Sequence, residues 1–173
     1  PATHSIQRRT LLAMSFAVSL LAGCGKSVNL SVIPPGKTVL AFGDSVTFGT
    51  GATSGEDWPS LLAQKTGWKV VNAGVSGDTT AGGLSRLDWS LTPETDGLIV
   101  TLGGNDMLRG IDPATSRANL EAILKGITAR GLPFLLVAMQ APGNYGPEYK
   151  AQFDAIYPDL AKTYGPLPAP VFF

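Results

Sequence analysis

Ser45, Gly77 and Asn105 are the residues of this chain whose types and spacing could do chemistry. Ser45 stands in Gly43-Asp44-Ser45 behind a short apolar run. A serine exposed at the end of a strand can act as a nucleophile once a base takes its proton. Its plainer reading is a helix-capping serine, a common role for serine after a strand. Gly77 lies in Ser76-Gly77-Asp78-Thr79, where the missing β-carbon lets a backbone N–H come close to a ligand; taken singly, it reads as a turn glycine. Asn105 ends Gly103-Gly104-Asn105, and its amide can donate to the same point or cap a turn. Together, the Ser45 N–H, the Gly77 N–H and the Asn105 amide would set donors around one oxygen. That arrangement stabilises the tetrahedral intermediate of acyl transfer, and losing one donor typically costs about 3 kcal/mol in the barrier.

Such residues need a scaffold that brings distant segments to one place. From Thr38 onward, short apolar runs bounded by glycine alternate with stretches of helical period, the pattern of a parallel sheet flanked by helices. Strands are expected at 38–42, 69–72, 98–102, 133–139 and 169–173, and helices at 57–65, 80–91, 113–130 and 145–164. The third of these helices is the best marked: Asp112 caps it, Pro113 opens it, Leu120, Ile123, Leu124 and Ile127 share a face, and Gly131 ends it. The expected fold is a three-layer α/β domain. In such sheets ligands gather at the carboxyl ends of the strands. Glycine-rich segments follow the first three expected strands, at 43–45, 72–80 and 103–106, and their coincidence favours the nucleophile over the cap.

With 173 residues, 44% hydrophobic and 15% charged, the chain suits one domain with a substantial core. The formal net charge is zero; without Arg8 and Arg9 there remain 11 basic against 13 acidic residues, which gives no sign of a nucleic-acid partner. A single cysteine excludes an internal disulfide and a cysteine-rich metal site. Asp44, Asp78 and Asp106 could be imagined around magnesium, but each is expected instead to bind local backbone N–H groups and shape its loop. No dinucleotide spacing or P-loop lysine occurs, so no cofactor is expected. Trp58, Trp68 and Trp89 are expected to pack in the core or at its edge.

Residues 1–23 read as an export signal: Arg8 and Arg9 precede an apolar run from Leu11 to Ala22, too short to span a bilayer. Leu21-Ala22-Gly23-Cys24 resembles a bacterial lipobox, which implies lipidation of Cys24 and membrane attachment in the cell envelope. Arg8 to Leu12 also resembles a weak twin-arginine address. Residues 24–37 suit a tether, with a further strand conceivable at 28–33, and 38–173 the folded domain.

Phe42-Gly43-Asp44-Ser45, the segment from Asn72 to Thr79, and Gly103-Gly104-Asn105-Asp106 together resemble the first blocks of the SGNH, or GDSL, hydrolases. The likeness spans about 39–173 and is strongest to the bacterial arylesterase and thioesterase I/lysophospholipase L1 group, through 58–62, 103–110, 144–146 and 156–160. It implies a flavodoxin-like sheet and hydrolysis of small-molecule esters or thioesters, with Ser45 as nucleophile and first oxyanion donor, Gly77 as second and Asn105 as third. The same site would serve acyl transfer or carbohydrate deacetylation. The resemblance also implies an Asp-x-x-His pair, yet no histidine follows His4, which lies in the export signal, so neither role is assigned. The expectation is that the polypeptide continues past Phe173 with that pair; the alternative is a catalytically dead, tethered binding module.

Overall fold

The computed structural model describes residues 33–165 and the backbone of 168–171; the expected export signal, Cys24 and the expected strand at 28–33 up to residue 32 fall outside it. Five parallel strands form one sheet in the order β2-β1-β3-β4-β5. They are β1 (Thr38–Gly43), β2 (Lys69–Gly74), β3 (Thr95–Thr101), β4 (Phe134–Ala138) and β5 (Pro168–Val171). The helices are α1 (Ser45–Phe48), α2 (Trp58–Thr66), α3 (Thr80–Ser90), α4 (Gly104–Leu108), α5 (Pro113–Ala129) and α6 (Pro147–Tyr164). This is the flavodoxin-like α/β arrangement that the sequence led us to expect.

Alternation of side chains across the strands sorts the core onto two faces. Leu40, Phe42, Leu98, Val100 and Leu136 pack against Leu87 of α3, the apolar stripe of α5, and Phe153, Ile156, Tyr157 and Leu160 of α6. On the other face, Val39, Ile99 and Val137 meet Trp58 and Leu62 of α2, with Ile33 and Trp68. Leu120, Ile123, Leu124 and Ile127 are all fully buried, and at about 1.5–3 kcal/mol each their burial, more than helix propensity, holds α5 on the sheet.

Local chemistry sets the helix ends. Asp112 accepts from the Ala114 N–H at 3.0 Å ahead of Pro113, and Asp57 accepts from Ser60 at 2.9 Å ahead of α2. The helix expected from Tyr145 instead begins at Pro147: Gly143–Tyr145 form a 3-10 turn, and Gly146, at φ +88°, breaks the run. Strand β2 is not the buried strand its apolar run suggested. It lies at the sheet edge, and Val71 is 48% exposed. At the opposite end of the described sheet, β5 carries Pro168 and Pro170, which an outer strand tolerates. Trp89 departs from its expected packing and is 74% exposed on α3.

Candidate active site

Ser45 opens α1 at the carboxyl end of β1 and is half-buried. The capping oxygen is supplied by Asp44, whose Oδ1 accepts from the Val46 N–H at 3.0 Å, so the serine is not needed as the cap. As the first residue of the helix, Ser45 keeps a backbone N–H with no intrahelical acceptor. The seat of α1 is tight. A β-carbon on Gly74 would lie 2.1 Å from the Phe48 nitrogen, and one on Gly43 would lie 2.1 Å from both Thr47 Oγ1 and Thr101 Oγ1. Asn72 donates to the Thr47 carbonyl at 2.9 Å, and the Thr47 and Thr101 hydroxyls hydrogen-bond to each other.

Gly77 is exposed in the loop after β2 and has φ +78°, a left-handed conformation that side chains disfavour. Arg109 Nη2 donates to its carbonyl at 2.7 Å, while Thr50 and Ser76 hydroxyls meet at 3.0 Å beside it. Asn105 sits in α4, and its Nδ2 donates to the Asp78 carbonyl at 2.8 Å. The same nitrogen is 3.5 Å from Asp44 Oδ2, longer than a usual N–H···O bond, so its second hydrogen is only weakly engaged.

These elements border an open cleft of about 530 Å³. Asp44, Ser45 and Val46 line it from the first loop, Gly104, Asn105, Met107 and Leu108 from the third, and Met139 to Pro142 with Lys150 from the far side. The structure thus brings Ser45 and Asn105 into one cleft; Gly77 stands beside the cleft and is not one of its lining residues. Lys150 Nζ donates to the Ala141 carbonyl at 2.6 Å and to Asp154 at 2.7 Å, and Asp154 accepts the Ala141 N–H, so the far wall is clamped from α6. Tyr145, Tyr149 and Tyr157 donate to the carbonyls of Leu108, Ile111 and Leu102, which fixes both ends of the segment carrying Asn105.

The carboxylates divide the work differently from the loop-shaping role expected of each. Asp44 does cap its own turn, and at 2% exposure burial pushes its pKa above the ordinary 3.8. The Val46 hydrogen bond opposes that shift, and the charges of Asp78 and Asp106 add to it. Asp106 reaches beyond its own loop, accepting from Thr80 N–H at 2.8 Å, from the Thr80 hydroxyl, and from Ser116 at 3.1 Å. Asp78 pairs with Arg86 at 2.7 Å. Arg86 escaped the sequence reading, although its place between Gly83 and Leu87 puts a cation on the buried stripe of α3. Among the described residues no group of three or more His, Cys, Asp or Glu is placed to hold a metal ion, and no helix is long and apolar enough to cross a membrane.

Residues 41–170 match the GDSL-like lipase/acylhydrolase family. Esterase TesA of Pseudomonas aeruginosa is 40% identical over 148 residues, which cover 82% of this chain and 74% of that protein. Thioesterase 1/protease 1/lysophospholipase L1 of Escherichia coli strain K12 is 42% identical over 130 residues, covering 73% of this chain and 62% of that protein. Among solved structures, AlinE4, an SGNH-hydrolase family esterase, matches with a TM-score of 0.74 at 42% identity, over 80% of this chain and 78% of its own.

Proposed function

The chain belongs to the GDSL-like lipase/acylhydrolase family, a family of ester hydrolases, and from that premise we infer that it cleaves carboxylic esters or thioesters through an acyl-enzyme on Ser45. The observation that carries this reading is the placement of Ser45 and Asn105 in one cleft at the carboxyl ends of β1 and β3, with the Gly77 loop fastened to the segment carrying Asn105. Ser45 Oγ attacks the acyl carbon as its proton passes to a base. The Ser45 N–H, the Gly77 N–H and the Asn105 amide receive the developing oxyanion, and the alcohol or thiol leaves. Water then releases the acid and restores the serine. No residue of this sequence is assigned as the base. Met107, Leu108, Met139 and Ala141 give the cleft an apolar lining suited to a small or medium acyl chain.

The protein expressed from its complete reading frame should hydrolyse p-nitrophenyl butyrate, and Ser45→Ala should lower kcat by about a thousandfold or more. Unchanged turnover in that variant refutes the reading. Residues 1–23 as an export signal, lipidation at Cys24 and a tether over 24–37 belong to the same proposal and are supported by the sequence pattern alone. Several acyl chains on Cys24 would anchor the domain stably where one would not. Mass spectrometry of the mature N-terminus should find a diacylglyceryl-cysteine; an unmodified N-terminus rules the anchor out.

A further inference from the structure

Arg86 is a buried cation, 7% exposed, whose guanidinium meets acceptors from both of the loops that hold Ser45 and Gly77. Its Nε donates to Asp78 Oδ2 at 2.7 Å, Nη1 to the Ala73 carbonyl at 2.9 Å and Nη2 to the Gly43 carbonyl at 2.9 Å. Its Cζ lies over the Phe42 ring, 4.1 Å from the ring centroid. None of these partners is incidental to the site. Gly43 directly precedes Asp44 and Ser45, Ala73 precedes the Gly74 on which α1 is seated, and Asp78 follows Gly77 and accepts the Asn105 amide on its own carbonyl. Only a planar fork of donors matches acceptors spread in this way; a lysine ammonium is a point charge.

Stability is a poor explanation for this arrangement. The side chains of Arg86 and Asp78 are only 8% and 10% exposed, and desolvating such a pair offsets most of its attraction. What the guanidinium does supply is a fixed spacing between the ends of β1 and β2 and the loop beyond β2. We propose that Arg86 is a positioning residue for the hydrolysis described above, and on that reading it holds Ser45, Gly77 and Asn105 in the mutual geometry that the tetrahedral intermediate needs. It touches neither the substrate cleft nor its far wall, which Lys150 and Asp154 brace separately.

The test compares Arg86→Met and Arg86→Lys with the wild type, each expressed from the complete reading frame, by steady-state hydrolysis of p-nitrophenyl butyrate and by amide hydrogen exchange. Both variants should lose about 100-fold in kcat, since a misplacement of about 1 Å by a remote substitution has that effect. KM should stay within about twofold, because neither substitution alters a residue that lines the cleft. Exchange should quicken over 43–48 and 74–80 and stay as in the wild type over 120–127. A lysine variant with wild-type kcat, or a loss of kcat that merely tracks the folded fraction seen by circular dichroism, overturns the proposal. Should neither variant fold, Asp78→Asn keeps the arginine and weakens its ion pair, and should lower kcat by about tenfold at constant KM; an unchanged kcat there overturns it. Absence of Ser45-dependent turnover in the wild type would instead sink the hydrolase reading, and exchange then decides for Arg86: unaltered rates over 43–48 and 74–80 in its variants, or in Asp78→Asn, reject the positioning role.

Discussion

Alanine at Gly74 separates the geometry of the site from the stability of the fold. A methyl group there would lie 2.1 Å from the Phe48 nitrogen and 2.6 Å from Phe48 Cα and the Thr47 carbonyl carbon, backbone atoms that cannot swing aside. Gly74 is outside the positive-φ region, so alanine carries no conformational strain and would by itself stabilise by about 0.4–1 kcal/mol through the unfolded chain. The overlap decides the sign. To restore ordinary contact, α1 must retreat from β2 by about 1 Å, and overpacking of that kind costs about 1–3 kcal/mol. The net loss of about 1–2 kcal/mol should lower Tm by about 3–8 °C in a domain of this size. Ser45 opens α1 and moves with it, and a misplacement of about 1 Å costs about 100-fold in rate. The variant should therefore be mildly destabilised and severely slowed. Gly143→Ala is the control, because a β-carbon there meets nothing within 4 Å; its stability should be unchanged or slightly raised and its rate unchanged. Thermal unfolding and p-nitrophenyl butyrate turnover measure the two effects. A Gly74→Ala protein with wild-type kcat, or one that loses activity only in proportion to its folded fraction, would refute the view that the seat of α1 sets the position of the serine.

Three further outcomes are expected. Tyr157→Phe removes the hydroxyl that donates to the Leu102 carbonyl at 2.9 Å in the core and should cost about 1–3 kcal/mol by urea unfolding, with no change expected if that bond is dispensable. Arg109→Ala frees the Gly77 carbonyl at an exposed site; kcat should fall about fivefold, for a bond worth about 1 kcal/mol, while Tm barely moves. Asp44 carries a pKa raised mainly by burial, so the folded state holds its proton more tightly than the unfolded chain. Relative to Asp44→Asn, the wild type should then lose stability as pH rises from the ordinary 3.8 through that raised value, and hold a constant deficit above it. Urea denaturation between about pH 4 and 7 reads this window, and a difference that moves in the wild type's favour with rising pH contradicts the assignment.

The order of elements was legible because its signals are local. Asp112-Pro113 and the spacing of Leu120, Ile123, Leu124 and Ile127 marked α5 almost to its ends, since a cap and a stripe need no distant partner. Strand order is a tertiary property: nothing in Lys-Val-Val-Asn distinguishes the edge strand β2 from an interior one. The short helices α1 and α4 fell below the length at which periodicity speaks, although they carry Ser45 and Asn105. Those two residues, with Gly77, stood out through the glycines around them and the strands before them. Arg86 and Lys150 did not, and Asp106 was legible only as a loop-shaping carboxylate, because their roles depend on partners 43, 9 and 26 residues away. A charge on an apolar stripe hints at burial, but only the fold shows what neutralises it.

The cleft is also divided along the chain. The proposed reacting positions hang from β1, β2 and β3, which are neighbours in the sheet, whereas the wall from Met139 to Pro142 follows β4 and is braced from α6. Inheritance can therefore treat the two separately. On the proposed reading, substitutions between 139 and 150 would reshape one wall of the acyl site while the strands bearing Ser45 stay as they are, so substrate range could change without a change in the chemistry.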